Sequence, residues 1–365
     1  MGDGSARGAR GSGLSRRGLL AAGGGVALSA LARPGTATAG GPTGAPAADP
    51  DPAVTAALPT SRRFDLTDSS DPLFREKALR NGTVLQSFAF DNINRRIYVA
   101  QVLQGGVQLA EPAPVSGAAR NAAGDLCVTE LDFAGNQLGQ MYLLGFGHGV
   151  SIGAEPVGGT TYLWTEVDAV PVGDSARGTA LARFPFVDRA VLTNRSPMEK
   201  HRPVAGATNT TVSIDMAHNL LVTRYSLGGR MRVSVFDLPA VKAGTYTPLA
   251  TIDQPAVVAA ERPFQGYTSF GRYLYMLEGS AYGTYDSVEA EHGNTHLTTV
   301  DFATGDVVQR AWSQAGYSLS FREPEGMAVQ LTDVNDLNSA RLCFGFASRN
   351  APNRLASIYY KDLLI

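Results

Sequence analysis

The sequence predicts an all-β chain, a five-bladed β-propeller with four-stranded blades whose ring is closed by an N-terminal strand. Three observations carry this expectation. A short strand opening on a polar residue, then a turn, then a strongly apolar strand recur five times, and the opening residues Gln86, His148, Thr210, Gln265 and Glu325 follow one another at 62, 62, 55 and 60 residues. Each copy is followed by further strand-like runs, such as Leu126 to Phe133 and Gln137 to Leu144 after the first. Gly, Asn and Asp turns separate the runs without helical periodicity, and four strands in ~60 residues is the pattern of a propeller blade.

The copies justify the blades in order. Gln86 to Asp91 leads to Arg96 to Ala100, His148 to Ile152 leads to Thr161 to Thr165, and Thr210 to Asp215 leads to Asn219 to Val222. Gln265 to Ser269 leads to Arg272 to Met276, and Glu325 to Val329 leads to Ala340 to Phe344. The fifth copy supplies only three strands, ending with Leu355 to Lys361, while Arg63 to Thr67 stands alone before the first. A propeller hides its edges, so this lone strand is expected to complete blade five.

Ahead of the body, residues 1–39 read as a twin-arginine (Tat) export signal: Arg16 and Arg17, an apolar Ala/Gly-rich run to Leu31, and the small-residue cleavage site Ala37-Thr38-Ala39. Residues 40–61 are Pro, Ala and Gly with almost no large apolar side chain and read as a flexible tether, leaving 62–365 as the propeller domain. Removing the signal takes away five arginines and Asp3, so the formal charge of −2 becomes −6. Such a balance excludes a nucleic-acid partner, and no later run is long and apolar enough for membrane insertion. The expected product is a monomer, secreted outside the cell. Cys127 and Cys343 are too few for a disulfide scaffold, although a bond between them, in neighbouring blades one and five, is conceivable.

The first strands of propeller blades line the central channel, so Gln86, His148, Thr210, Gln265 and Glu325 should form a polar ring there. Such a ring can seal the channel by internal hydrogen bonds or bind a ligand. Around it the sequence places Gln101, Glu166, Arg224, Tyr225, Glu278, Arg322 and Glu323, and the aromatics Phe264, Tyr267, Tyr282, Tyr285 and Phe321. Aromatic faces with polar neighbours suit sugars and polyols, with Gln86, Gln265, Arg322, Glu323, Tyr282 and Tyr285 as substrate contacts. For catalysis, His148, Tyr225 and Arg224 fit the base, acid and charge neutraliser of a uronate lyase, and Glu325 with Glu323 or Glu166 fits a hydrolase. No cofactor is expected and no permanent metal; one carboxylate with two amides leaves at most a weak calcium site. The sequence contains no G-x-S-x-G, P-loop, H-E-x-x-H or zinc spacing.

The blade starts Gln86-Ser87-Phe88-Ala89-Phe90-Asp91, Gly147-His148-Gly149, Phe264-Gln265-Gly266 and Glu323-Pro324-Glu325-Gly326 resemble those of the five-bladed propeller family of teichoic acid biosynthesis protein C and staphylococcal phage receptor-binding proteins. The resemblance covers residues 62–365, with Thr210-Thr211 departing from it. It implies recognition of cell-surface glycopolymers, wall teichoic acid in the phage case. The resulting expectation is a secreted propeller that binds, and with a paired acid and base would cleave, a polyol phosphate or acidic polysaccharide. A purely structural or interaction propeller is the alternative.

Overall fold

In a computed structural model the residues described are 58–257 and 262–365. The signal and residues 40–57 lie outside them. The body is an all-β, five-bladed propeller. Blade one pairs Leu85–Asp91, Arg96–Val102, Leu126–Leu131 and Gln137–Leu144, and Val191–Thr193 adds to its rim in parallel. Blade three is Thr208–Asp215, Leu220–Leu227, Arg230–Asp237 and Ala250–Asp253; blade four is Phe264–Phe270, Tyr273–Glu278, His296–Asp301 and Val307–Trp312.

Blade two departs from the expected register. Its inner strand is Gly153–Val157, followed by Thr160–Val167, Ala180–Pro185 and Glu199–His201, so His148 to Ile152 is not a strand. Gly145, Gly147 and Gly149 all have left-handed backbone there, which an extended strand does not accept.

The inner strands read as apolar runs because both faces of every blade are covered. Leu85–Asp91 is buried at every position, and each of the five seams between blades holds its own apolar cluster. Phe146 and Phe184 mark the seam of blades one and two, Trp164 and Phe236 that of two and three, and Leu220 and Tyr267 that of three and four. Leu297 and Phe344 lie in the seam of four and five, and Phe88 and Ile358 in that of five and one.

Blade five joins Glu323–Leu331, Ala340–Ser348 and Leu355–Lys361 to an N-terminal outer strand, and that strand is Asp71–Ala78, not Arg63 to Thr67. The earlier segment fails as a blade strand because Asp65 turns it, its carboxylate accepting from the Thr67 amide and hydroxyl at 2.9 and 2.7 Å. It bridges the C-terminus instead: Arg63 N donates to Ile365 O at 3.0 Å and Ile365 N to Arg63 O at 2.8 Å. Phe64 drives this contact, fully buried against Phe270 and Tyr275 with ring centroids 5.4 Å away in each case. The last residues before the body are also packed, with the Ser61 hydroxyl donating to Phe270 O at 3.1 Å.

Losing Phe64 and Leu66 together should cost several kcal/mol, a Phe alone being worth about 3–5. A chain starting at Leu58 is therefore expected to melt about 10 °C above one starting at Ser69. Equal melting temperatures in calorimetry would remove the terminal clasp from the account of stability.

Cys127 and Cys343 are both free and buried, packed in separate clusters. They do not pair, and burial raises both thiols. Among the described residues no helix is long and apolar enough to cross a membrane.

Candidate functional site

The polar ring forms at the end of the channel where the inner strands begin. In blades one and four the ladder shifts register at Gln86 and Gln265; in blade three it shifts between Thr208 and Thr211, and in blade five at Gly326, beside Glu325. Bulges of this kind re-aim side chains. Close approach of the backbones makes the ring compact. A Cβ on Gly266 would stand 2.8 Å from the Gly326 Cα, and one on Gly326 2.6 Å from the Ser87 Cα, so larger residues at 266 or 326 would wedge the blades apart.

Blade two reaches the ring by another route. Glu166, fully buried, accepts from the backbone N–H groups of His148 at 2.9 Å, Gly149 at 2.7 Å and Gly178 at 2.5 Å. The Ser87 hydroxyl donates to Gly149 O at 2.6 Å, and Thr210 N donates to Gly178 O at 2.9 Å. One carboxylate thus pins His148 and Arg177 between blades one and three. Burial raises the Glu166 carboxyl while Arg177 and the three N–H groups oppose that rise.

Arg177 was not among the residues singled out from sequence. It ends the hairpin Val170–Val172/Ser175–Arg177, whose Gly173-Asp174 turn is a legible signal. Its guanidinium touches the Ser175 hydroxyl at 3.3 Å and makes no ion pair among the described residues. Arg177 nevertheless feels Glu166, Asp174 and Glu325, and burial lowers its pKa. Arg224 is a second cation of this kind. It lies 3.8 Å over the Phe264 ring and donates to Gln254 Oε1 at 2.6 Å, and burial takes its pKa to about 10.

The carboxyls of the ring are held toward their neutral form. Burial, and then repulsion from Glu323, pushes Glu325 well above its usual range, with Arg177 opposing. Burial pushes Glu323 up to about 7, opposed by Arg354. Neither carboxyl has a side-chain hydrogen bond or ion pair among the described residues. His148 is held well below its usual value by burial and then by Arg177, with Nδ1 2.9 Å from the Ser175 hydroxyl. The mouth thus brings two guanidiniums without ion-pair partners among the described residues together with an imidazole and two carboxyls that burial holds toward their neutral forms. This suits an anion with hydroxyl neighbours and not a hard cation. Among the described residues no three His, Cys, Asp or Glu side chains could hold a metal ion.

Several sequence-predicted contacts do something else. Tyr225 does not join His148 and Arg224: successive strand residues face opposite ways, and its buried hydroxyl lies 2.8 Å from Ser234 Oγ. The lyase trio is therefore not assembled. Arg322 is no substrate contact, being fully buried with donations to Ala315 O, Ser313 O and Thr295 Oγ1 at 3.0, 2.8 and 2.9 Å. Glu166 is saturated by backbone amides and unavailable as a hydrolytic partner. Gln101 ties down Asn81 and Thr83, and Glu278 pairs with Arg310 at 2.7 Å. Gln265 donates to Gly279 O at 2.9 Å, which fixes it at the rim. Tyr267 is a core residue, its hydroxyl donating to Val222 O at 3.2 Å. Phe321 lies under the Arg354 guanidinium at 3.3 Å, Tyr282 is half-buried and Tyr285 is exposed. Gln86, Thr210 and Glu325 lie near the starts of their inner strands and His148 in the loop before that of blade two, and the buried Thr210 hydroxyl has no hydrogen-bond partner among the described residues.

Toward its other end the channel narrows to small side chains, one per blade: Ala89, Ala154, Ser213, Thr268 and Ala328. They surround about 20 Å³ of free space, room for roughly one water.

The family model described as the phage five-bladed β-propeller receptor-binding platform domain matches residues 84–360. A Bacillus subtilis (strain 168) protein named as major teichoic acid biosynthesis protein C is 29% identical over 307 residues, covering 81% of this chain. The match spans 63% of that relative's length. The tail fibre of Staphylococcus aureus phage P68 superposes with a TM-score of 0.62 at 18% identity, covering 82% of this chain and 54% of the fibre. That likeness is one of fold.

Proposed function

This chain belongs to the phage five-bladed β-propeller receptor-binding platform family, and we propose that it is an exported receptor-type propeller that binds a phosphate-bearing polyol polymer of cell surfaces at its channel mouth. The observation that carries this reading is the pair of guanidiniums, Arg177 and Arg224, without ion-pair partners among the described residues, beside carboxyls that burial holds toward their neutral form. Guanidinium groups with open donors recognise phosphate. The Glu325 carboxyl, held toward its neutral form by burial, the Thr210 hydroxyl and Gln86 supply the donors and acceptors that polyol hydroxyls need. The name of the Bacillus relative supports the polymer class, and the twin arginines at Arg16 and Arg17 support export. Four-stranded blades and a clasped N-terminus serve this role by holding five loops in fixed register round one mouth.

The test is calorimetric titration of residues 58–365 with poly(glycerol phosphate), neutral dextran and a polyuronate. Saturable binding of the phosphate polymer alone, weakening as salt rises, is expected. Equal affinity for dextran, or none for the phosphate polymer, would overturn the reading.

A further inference from the structure

We propose that Trp312, Tyr317 and His292 form a second subsite beside the channel, a platform for the pyranose ring of a neutral glycosyl group carried by the polymer. This rests on the channel reading and extends it to the polymer's substituent.

The platform is aromatic, exposed and rigid at once. Trp312 is 45% exposed and Tyr317 56%, and the His292 and Tyr317 rings lie 4.7 Å apart at 36°. The Trp312 ring is anchored by its polar end, Nε1 donating to Gly293 O at 2.9 Å, and the Tyr317 backbone is held by the Tyr282 hydroxyl, which donates to Tyr317 O at 2.9 Å. Gly293 has a left-handed backbone, and a Cβ there would meet Arg322 Nη1 at 2.8 Å and Tyr282 Cε1 at 2.9 Å. The buried Arg322 explains the rigidity, since its three donations bind residues 313–315 to Thr295 beneath the rings. Phe321 and Arg322 adopt left-handed backbone, φ 67° and 45°, a strain such positions keep only when their surroundings enforce it.

Exposed aromatic faces fit the C–H face of a sugar ring. Charge narrows the occupant. The exposed Glu289 and Glu291 immediately precede His292, so an anionic uronate or phosphate is repelled and a neutral pyranose is not. Position ties the two subsites together. Tyr282 N donates to Phe321 O at 2.7 Å, and Phe321 leads within four residues to Glu325 of the ring.

The experiment compares unsubstituted poly(glycerol phosphate) with the same polymer bearing glucosyl groups, and follows tryptophan fluorescence during titration with methyl glucoside. The chain has two tryptophans, and Trp164 is fully buried, so Trp312 is the reporter. Wild type should prefer the glucosylated polymer about tenfold, the gain from burying a few tens of Å² of ring. Trp312→Ala and Tyr317→Ala should lose that preference, keep the affinity for the bare polymer, and melt as wild type does. No preference in wild type, or preference kept in both variants, would overturn the platform and leave the channel reading standing. If neither polymer binds, the channel reading falls, and methyl glucoside then decides the platform alone: a saturable change in Trp312 emission retains it, and no change overturns it.

Discussion

Replacing Arg177 by alanine is expected to weaken binding of poly(glycerol phosphate) about 100-fold, close to the loss of specific binding. Removing one member of a buried charge pair costs about 2–5 kcal/mol, and each 1.4 kcal/mol is tenfold. The effect is large here because the guanidinium is partly withdrawn from water, burial lowering its pKa, and it forms no ion pair among the described residues. The fold should tolerate the change. Arg177 contributes two long hydrogen bonds to its neighbours, to the Ser175 hydroxyl at 3.3 Å and to Ala176 O at 3.5 Å, and Glu166 keeps its three backbone donors. Titration calorimetry and a melting curve on the same sample separate the two effects. Arg177→Lys should fall between, since an ammonium keeps the charge and loses the planar fork. Wild-type affinity in Arg177→Ala would place the anion site elsewhere. A 100-fold loss with an equally large drop in melting temperature would make Arg177 a structural group.

The blades and most of the ring were legible in the sequence because they follow from repetition. Inner strands are apolar throughout, and their bulges fall at or beside one polar residue each, so Gln86, Thr210, Gln265 and Glu325 stand out at near-equal intervals. What escaped were features that break the repeat. The closing strand Asp71–Ala78 is an outer edge that buries only Phe74, so it shows no alternation, while Arg63 to Thr67 looks strand-like because Phe64 and Leu66 plug the clasp. His148 keeps its interval but not its strand, because the glycines around it turn the backbone and Glu166 holds the loop. Arg177 lay outside the interval altogether, delivered by a hairpin that only blade two possesses. Arg322, in the densest charged turn, reads as a binding residue; burial converts it into a clamp for the aromatic loops.

Raising the pH from 5 to 9 is expected to destabilise the folded protein, chiefly between about 5 and 7, and to weaken its hold on an anionic polymer as the pH passes about 7. Glu323 moves from an ordinary value of 4.5 to about 7 on folding, so between those values the folded state holds a proton the unfolded chain has released. Stability is then fully present below about 4.5 and is lost as the pH rises through about 7. The full change corresponds to about 3 kcal/mol, and water at the mouth screens part of it, leaving about 1–2 kcal/mol to be measured. Glu325, raised in the same direction by burial and by Glu323, adds to the loss. For the ligand the sign is the same, because deprotonating Glu323 adds a negative charge next to Glu325, the carboxyl that Arg177 faces, and so weakens the pull of the mouth on a phosphate. Glu323→Gln should flatten both profiles near pH 7, and the doubly substituted Glu323→Gln, Glu325→Gln chain should be more stable than wild type at pH 8.5. Melting curves and titrations at pH 5, 7 and 8.5 make the comparison. A wild-type protein whose stability rises with pH across that span would show that these carboxyls are ionised and paired in the fold, and the positive character assigned to the mouth would go with them.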